Sequence, residues 1–198
     1  MRRSIRGRIL ARIKGHGKGW IFSAKDFLDF GSRAAVDQAL KRLSDDGSVR
    51  RLARGIYDFP RIHPSLGVLS PNPDAVAHAI AAKSGSRVQV SPARAANMLG
   101  LSTQVPARLV YVTDGPSRTL RVGNQIFHFK RAKSQVAHAD SQAGVVLQAL
   151  RSVGKSGIDD NLLANLRNTL PPAVKSDLRR VASTTPDWTR KAIQRIAV

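Results

Sequence analysis

Residues 32–59 read SRAAVDQALKRLSDDGSVRRLARGIYDF, and the fold is decided by the change of period inside this stretch. Ser32 has the side chain of an N-cap, whose hydroxyl accepts from a first-turn amide, and Gly47, following Asp45 and Asp46, reads as a helix stop. Between these marks Val36, Leu40 and Leu43 recur at i, i+4 and i+7 and form one apolar stripe. Arg33, Asp37, Gln38, Lys41 and Arg42 occupy the rest of the cylinder. One face packs and the other is free to touch a partner. Beyond Gly47 the helical period gives way to two strand-like runs, Val49–Leu52 and Ile56–Phe59, around Ala53-Arg54-Gly55. Gly55 can supply the positive φ of a hairpin turn. The tip of this ribbon is read as carrying Arg50, Arg51 and Arg54.

Upstream, Arg2–Lys14 is an amphipathic basic helix with Ile5, Ile9 and Ile13 on one side. Gly15-His16-Gly17-Lys18-Gly19 breaks it, and Trp20-Ile21-Phe22 reads as a short strand. Ser23-Ala24-Lys25-Asp26 then forms a capping box with Asp in place of Glu, starting a short helix that contributes Phe27, Leu28 and Phe30 to a core. It ends at Gly31, so only Gly31-Ser32 separates two helices, which a turn this tight holds at a steep angle. The order is helix, strand, helix, tight turn, helix and two-stranded ribbon, closed by Pro60 within about 60 residues, the order of a DNA-reading unit.

The segments Gly19–Phe27, Val36–Leu43 and Val49–Asp58 resemble the N-terminal winged helix-turn-helix of the AbiEi-like transcriptional regulators, antitoxins of bacterial type IV toxin-antitoxin systems. The resemblance covers residues 1–62 closely and the remainder loosely. It implies a DNA-binding repressor of its own operon, encoded beside a nucleotidyltransferase-like toxin.

Composition points the same way. The chain of 198 residues carries 33 Lys and Arg against 13 acidic residues, all of them Asp, for a formal charge of +20. Such an excess favours a polyanion as partner. An Arg-rich, Glu-free composition also follows from nucleotide bias in a genome, so position along the chain must decide. Absence of Cys excludes disulfide and thiolate chemistry. No apolar run reaches the ~20 residues of a membrane helix, and Met1-Arg2-Arg3 leads into a charged helix instead of the apolar core of a signal peptide. A cytoplasmic, nucleoid-associated protein with no membrane contact is the expectation. A mitochondrial presequence has a similar N-terminus, but here the helix runs straight into a domain.

A helix of about 12 residues is roughly 18 Å long and narrow enough for a major groove, with its N-terminal residues nearest the base edges. Arg33 and Gln38 are then the base readers, bidentate to guanine and adenine respectively, while Lys41 and Arg42 lie farther along and meet phosphates. Asp37 is either an acceptor for cytosine or an i+4 partner of Lys41, the second being preferred. Arg50, Arg51 and Arg54 reach either backbone phosphates or an adjacent narrow minor groove. With Lys25 and Ser32 these residues form the candidate set for double-stranded DNA, in promoter or operator repeats. The competing reading is a solvated charged face; three arginines concentrated on the ribbon that follows argue against it.

Residues 62–72, with two prolines and few charges, read as a linker, dividing a first domain, 1–62, from a second, 73–198. In the second, Asn72 or Asp74 caps a helix through Ala82, Arg87–Val90 is a strand and Ser91-Pro92 opens a helix through Leu99. Arg108–Thr113, Thr119–Val122 and Gln125–Lys130 follow as three antiparallel strands. Four helices close the chain over Gln142–Val153, Ile158–Thr169, Pro172–Ala182 and Asp187–Ile196. The fold class is α+β, an N-terminal winged helix-turn-helix followed by a mixed domain with a small antiparallel sheet and a helical C-terminus. Residues 1–61 carry 15 basic and 6 acidic side chains and residues 62–198 carry 18 and 7. The second region can therefore extend the DNA footprint, meet a second partner such as RNA, or carry only compositional bias.

Enzyme readings fail. The five His show no paired zinc spacing. Gly154-Lys155-Ser156 has Ala149 where a phosphate loop needs its first glycine, and a helix precedes it. Gly15–Gly19 lacks the strand-turn-helix setting of a phosphate loop. Asp114 and Lys130 echo a restriction-nuclease core, but His128 stands two before the lysine, where the acidic residue belongs, and a second carboxylate is missing. No catalytic residue, metal or cofactor is expected. The expected function is a sequence-specific repressor acting as the antitoxin of an AbiE-like type IV operon. The alternative is a protein that neutralises a nucleotidyltransferase-like toxin through its C-terminal domain, with DNA binding secondary.

Overall fold

The computed structural model describes residues 4–136, 138, 139 and 141–198. It is a mixed α+β chain in two units: the residues up to Gly85 with Arg121–Gln125, and Ser86–Leu120 with Ile126–Val198.

In the first unit α1 (Ile5–His16) starts at Ser4, whose Oγ accepts from the Gly7 amide; the start expected at Arg2 lies outside the described residues. After β1 (Ile21–Phe22) the short helix is 3₁₀, Ala24–Phe30, and carries the expected capping box: the Asp26 carboxylate accepts from the Ser23 amide at 2.7 Å. Next come α2 (Arg33–Asp45), β2 (Arg50–Ala53) and β3 (Ile56–Asp58). The three strands pair antiparallel in the order β1-β3-β2. Ile9, Ile13, Phe22, Phe27, Val36, Leu40 and Leu43 are buried in one cluster between the helices and this sheet. Each such apolar side chain contributes about 1.5–3 kcal/mol when fully buried.

The stretch expected as a linker is partly ordered: β4 (Ile62–His63) and β5 (Gly67–Val68) form a small antiparallel hairpin. α3 (Pro73–Lys83) follows, capped by Asn72, whose Oδ1 accepts from the Asp74 and Ala75 amides at 2.9 and 3.2 Å. α3 lies beside β1 in the first unit. The division of the chain therefore falls after Gly85, and the boundary expected at 62–72 lies within the first unit. The physical reason is that the hairpin sends the chain back, where Lys25 Nζ donates to the Ala82 carbonyl at 3.2 Å and Lys83 Nζ donates to the Arg54 carbonyl.

The second unit opens with β6 (Val88–Val90) and α4 (Pro92–Met98), followed by β7 (Leu109–Thr113) and, apart from Arg121–Gln125, by β8 (Arg118–Val122) and β9 (Gln125–Arg131). The sheet order is β6-β7-β9-β8. The small sheet expected is present and β6 pairs antiparallel with β7, but β7 and β9 are parallel. Three antiparallel strands in sequence order are thus corrected at one pairing. From β7 the chain crosses to the sheet edge at β8, and the turn at Gly123-Asn124 brings β9 back between them. Tyr111 stacks against Phe127 and Phe129 across this parallel pair. α5 (Gln142–Val153), α6 (Asp160–Thr169), α7 (Pro172–Val181) and α8 (Asp187–Ile196) complete the chain around Leu147, Leu150, Leu166, Leu178, Ile193 and Ile196. Among the described residues no helix is long and apolar enough to cross a membrane.

Candidate nucleic-acid interface

The position of α2 is set by its neighbours before any partner is considered. Val36, Ala39, Leu40 and Leu43 are buried, which leaves Arg33, Gln38, Lys41 and Arg42 exposed. Ser32 serves as the cap, its Oγ accepting from the Ala35 amide at 3.3 Å. The turn before it is close to α1: a Cβ at Gly31 would stand 2.8 Å from Ile5 Cδ1, the outer end of a side chain that can turn aside. α1 is tied to the other helices by its cations. Arg12 makes two hydrogen bonds to Asp29, at 2.8 and 2.7 Å, and lies 3.9 Å over the Phe30 ring, with Arg8 at 4.2 Å from the same ring. Arg6 pairs with Asp46 at the end of α2. The hydrogen bond from Arg12 holds the Asp29 carboxyl below the usual range and raises the guanidinium of Arg12. Hydrogen bonds from Ser48, chiefly, hold Asp46 low. The basic face of α1 is in this way largely occupied within the unit.

The candidate residues separate into paired and unpaired groups. Arg33 Nε donates to Asp37 at 2.8 Å, and Lys41 Nζ donates to Asp45 at 2.8 Å. The expectation that Asp37 pairs with Lys41 is therefore corrected: both lysine and aspartate find partners four residues away in the N-terminal-to-C-terminal sense Arg33→Asp37 and Lys41→Asp45. Both pairs are exposed, and such pairs contribute only about 0.3–0.5 kcal/mol, little enough for either cation to be recruited elsewhere. Arg42 has no ion pair or side-chain hydrogen bond among the described residues.

On the ribbon, Arg50 sits at the base of β2 and not at the tip. Its Nε and Nη2 donate to the two oxygens of Asp58 at 3.0 and 2.6 Å, and Asp58 is 1% exposed. A buried carboxylate must be paired and hydrogen-bonded to keep its charge, so this arginine is committed to the fold. Arg51 and Arg54 are exposed, with no carboxylate partner among the described residues. Gly55, at φ +70°, permits the tight turn between Arg54 and β3. Lys25 is exposed but engaged at the C-terminal end of α3, where a cation is favoured by the helix dipole.

Sequence reasoning missed Lys83. Its ammonium group, held by the Arg54 carbonyl, braces the turn that presents Arg54. A lysine at the end of a helix 29 residues later in the chain carries no local signal of this contact.

The motifs set aside on sequence grounds have ordinary surroundings. Gly154 ends α5, and residues 155–157 form a 3₁₀ turn, so no strand precedes the Gly-Lys-Ser run. Asp114 accepts from the Arg87 amide at 2.7 Å and from its Nε at 3.0 Å, contacts that hold its carboxyl below the usual range. Among the described residues no group of three or more His, Cys, Asp or Glu could hold a metal ion.

A model of a family of unknown function, DUF6088, matches residues 8–178. The chain belongs to the DUF6088 family. The match spans the first unit from within α1 and runs through the second unit into α7. The family therefore includes both the exposed face of α2 and the sheet with its following helices. No curated protein matches the chain.

Proposed function

We propose that this DUF6088 member is a sequence-specific DNA-binding repressor, with residues 5–58 acting as a winged helix-turn-helix, and that it is the antitoxin of an AbiE-like type IV operon beside a nucleotidyltransferase-like toxin. The observation that carries the reading is the arrangement around α2. The two-residue joint Gly31-Ser32 sets α2 directly after a 3₁₀ helix, and the apolar stripe of α2 is buried. The exposed side holds Arg33, Gln38, Lys41 and Arg42, and a ribbon follows with Arg51 and Arg54 unpaired among the described residues. Helix width, the position of Arg33 and Gln38 in its first two turns and a basic ribbon suit major-groove reading flanked by backbone or minor-groove contact. Nucleoid association follows from the same reading.

The test is fluorescence anisotropy of the full chain on duplex DNA from upstream of its own gene, repeated across salt concentrations. With about 6 to 8 phosphates neutralised, log K falls against log salt with a slope of roughly −5 to −7. A slope near zero refutes DNA binding, and equal affinity for promoter and scrambled duplex refutes sequence reading. The second reading is that the region after residue 72 neutralises the toxin, with DNA binding secondary. A variant with Arg33, Gln38, Arg51 and Arg54 all changed to Ala separates the two: loss of repression with retained neutralisation assigns the activities to different regions.

A further inference from the structure

A cleft of about 750 Å³ in the second unit has a composition that the DNA reading does not use. Its walls include Pro92, Pro106, Val110 and Val112, and three cations line it, Arg108, Lys130 and Arg131. Lys130 stands opposite Val112 in the parallel β7–β9 pair, so its side chain leaves the sheet on the same face as Val112 and Val110, whereas Arg131, opposite Thr113, borders the cleft from the strand end and turns to the other face. No carboxylate lines the cleft among the described residues, and none of the three cations has an ion pair there. Elsewhere in the same chain arginines are matched to aspartates, as in Arg87 with Asp114 at the end of β7. Gln135, also on the wall, has a buried amide oxygen with no hydrogen-bond partner among the described residues.

These features define a ligand. Two uncompensated cations on one face, Arg108 and Lys130, suit a dianion, with arginine giving paired hydrogen bonds to phosphate oxygens and lysine a point charge. Walls of proline and valine suit a flat apolar body, and a lone amide oxygen requires an N–H or O–H donor. The volume lies within the roughly 300–1,000 Å³ of small-molecule sites. We propose that this cleft binds a nucleoside monophosphate. Its phosphate is held by Arg108 and Lys130, its ring lies against Pro92, Pro106, Val110 and Val112, and its polar edge donates to Gln135. The site stands whether or not α2 reads DNA.

Calorimetric titration of the full chain with AMP, GMP, CMP and UMP, with inorganic phosphate for comparison, tests it. At least one nucleotide is expected to bind one to one, about tenfold or more tighter than phosphate. The double variant Arg108→Gln with Lys130→Gln should weaken that nucleotide about tenfold or more. Lys155→Gln with Arg167→Gln, removing the same charge from exposed positions of the same unit, should stay within about twofold. All four cations are exposed, and an unchanged melting curve verifies that both variants fold. If no nucleotide exceeds phosphate, or if both double variants weaken it equally, the cleft is only part of a basic surface and the proposal is overturned.

Discussion

Replacing Arg50 by Ala should destabilise the first unit far more than any other single arginine change on the ribbon. The substitution removes both hydrogen bonds to Asp58, at 3.0 and 2.6 Å, and leaves a carboxylate that is 1% exposed without its counter-ion. Stranding one partner of a buried pair costs about 3–5 kcal/mol. The Arg50 side chain is itself 30% exposed, so water entering the vacated space offsets part of that, and about 2–3 kcal/mol is the expected loss. For a unit of this size that lowers Tm by roughly 10–20 °C. Arg51→Ala, one residue away and exposed, should remain within about 0.5 kcal/mol of the parent. Thermal melts followed by circular dichroism on the full chain at fixed salt give the comparison. Changing both partners, Arg50→Met with Asp58→Leu, should recover most of the loss, because an apolar pair leaves no buried charge. An Arg50→Ala melt within about 3 °C of the parent, or no lower than that of Arg51→Ala, refutes a structural role for Arg50 and returns it to the DNA-contacting set.

Arg33→Ala or Gln38→Ala should cost about 1–3 kcal/mol against the preferred operator and much less against random duplex, measured by competition anisotropy; equal losses on both would show that α2 does not read bases. Arg54→Ala should abolish a preference for A/T-rich flanks if this side chain enters a narrow minor groove. An equal fall on every flank, with the salt slope reduced by about one unit, would make it a phosphate contact. Lys83→Met, which frees the turn carbonyl without touching a cation on the ribbon, should weaken the same flank preference while leaving the salt slope unchanged. In the second unit, burial, Arg151 and Arg87 hold the His138 imidazole below its ordinary value. The unfolded chain therefore takes up this proton first as pH falls below about 6.5, and stability drops until the native imidazole also titrates. Denaturant midpoints at pH 7.5 and 5.5 should differ less for His138→Gln than for the parent; identical differences would refute the assignment.

Local chemistry made much of this protein legible in its sequence. Ser32, the Ser23–Asp26 capping box, the Val36/Leu40/Leu43 stripe and the turn at Gly55 each report on a few adjacent residues. The corresponding elements lie where those signals place them, as α5 over Gln142–Val153 and α8 over Asp187–Ile196 also do. What required the tertiary structure is every choice between distant partners. Prolines and low charge at 62–72 resemble a linker whether the chain continues outward or, as here, doubles back to place α3 beside β1. Apolar alternation in β7 and β9 is the same for a parallel as for an antiparallel neighbour. The allocation of the ribbon arginines depends on a single register shift. Ala53 faces Ile56, and an unbroken ladder from that pair would set Arg51 opposite Asp58. A shift between Arg51 and Ala53 sets Arg50 there instead. Three arginines of identical chemistry thus become one that neutralises a buried aspartate and two left exposed, a distinction made by backbone geometry across the sheet and carried by no residue type in the sequence.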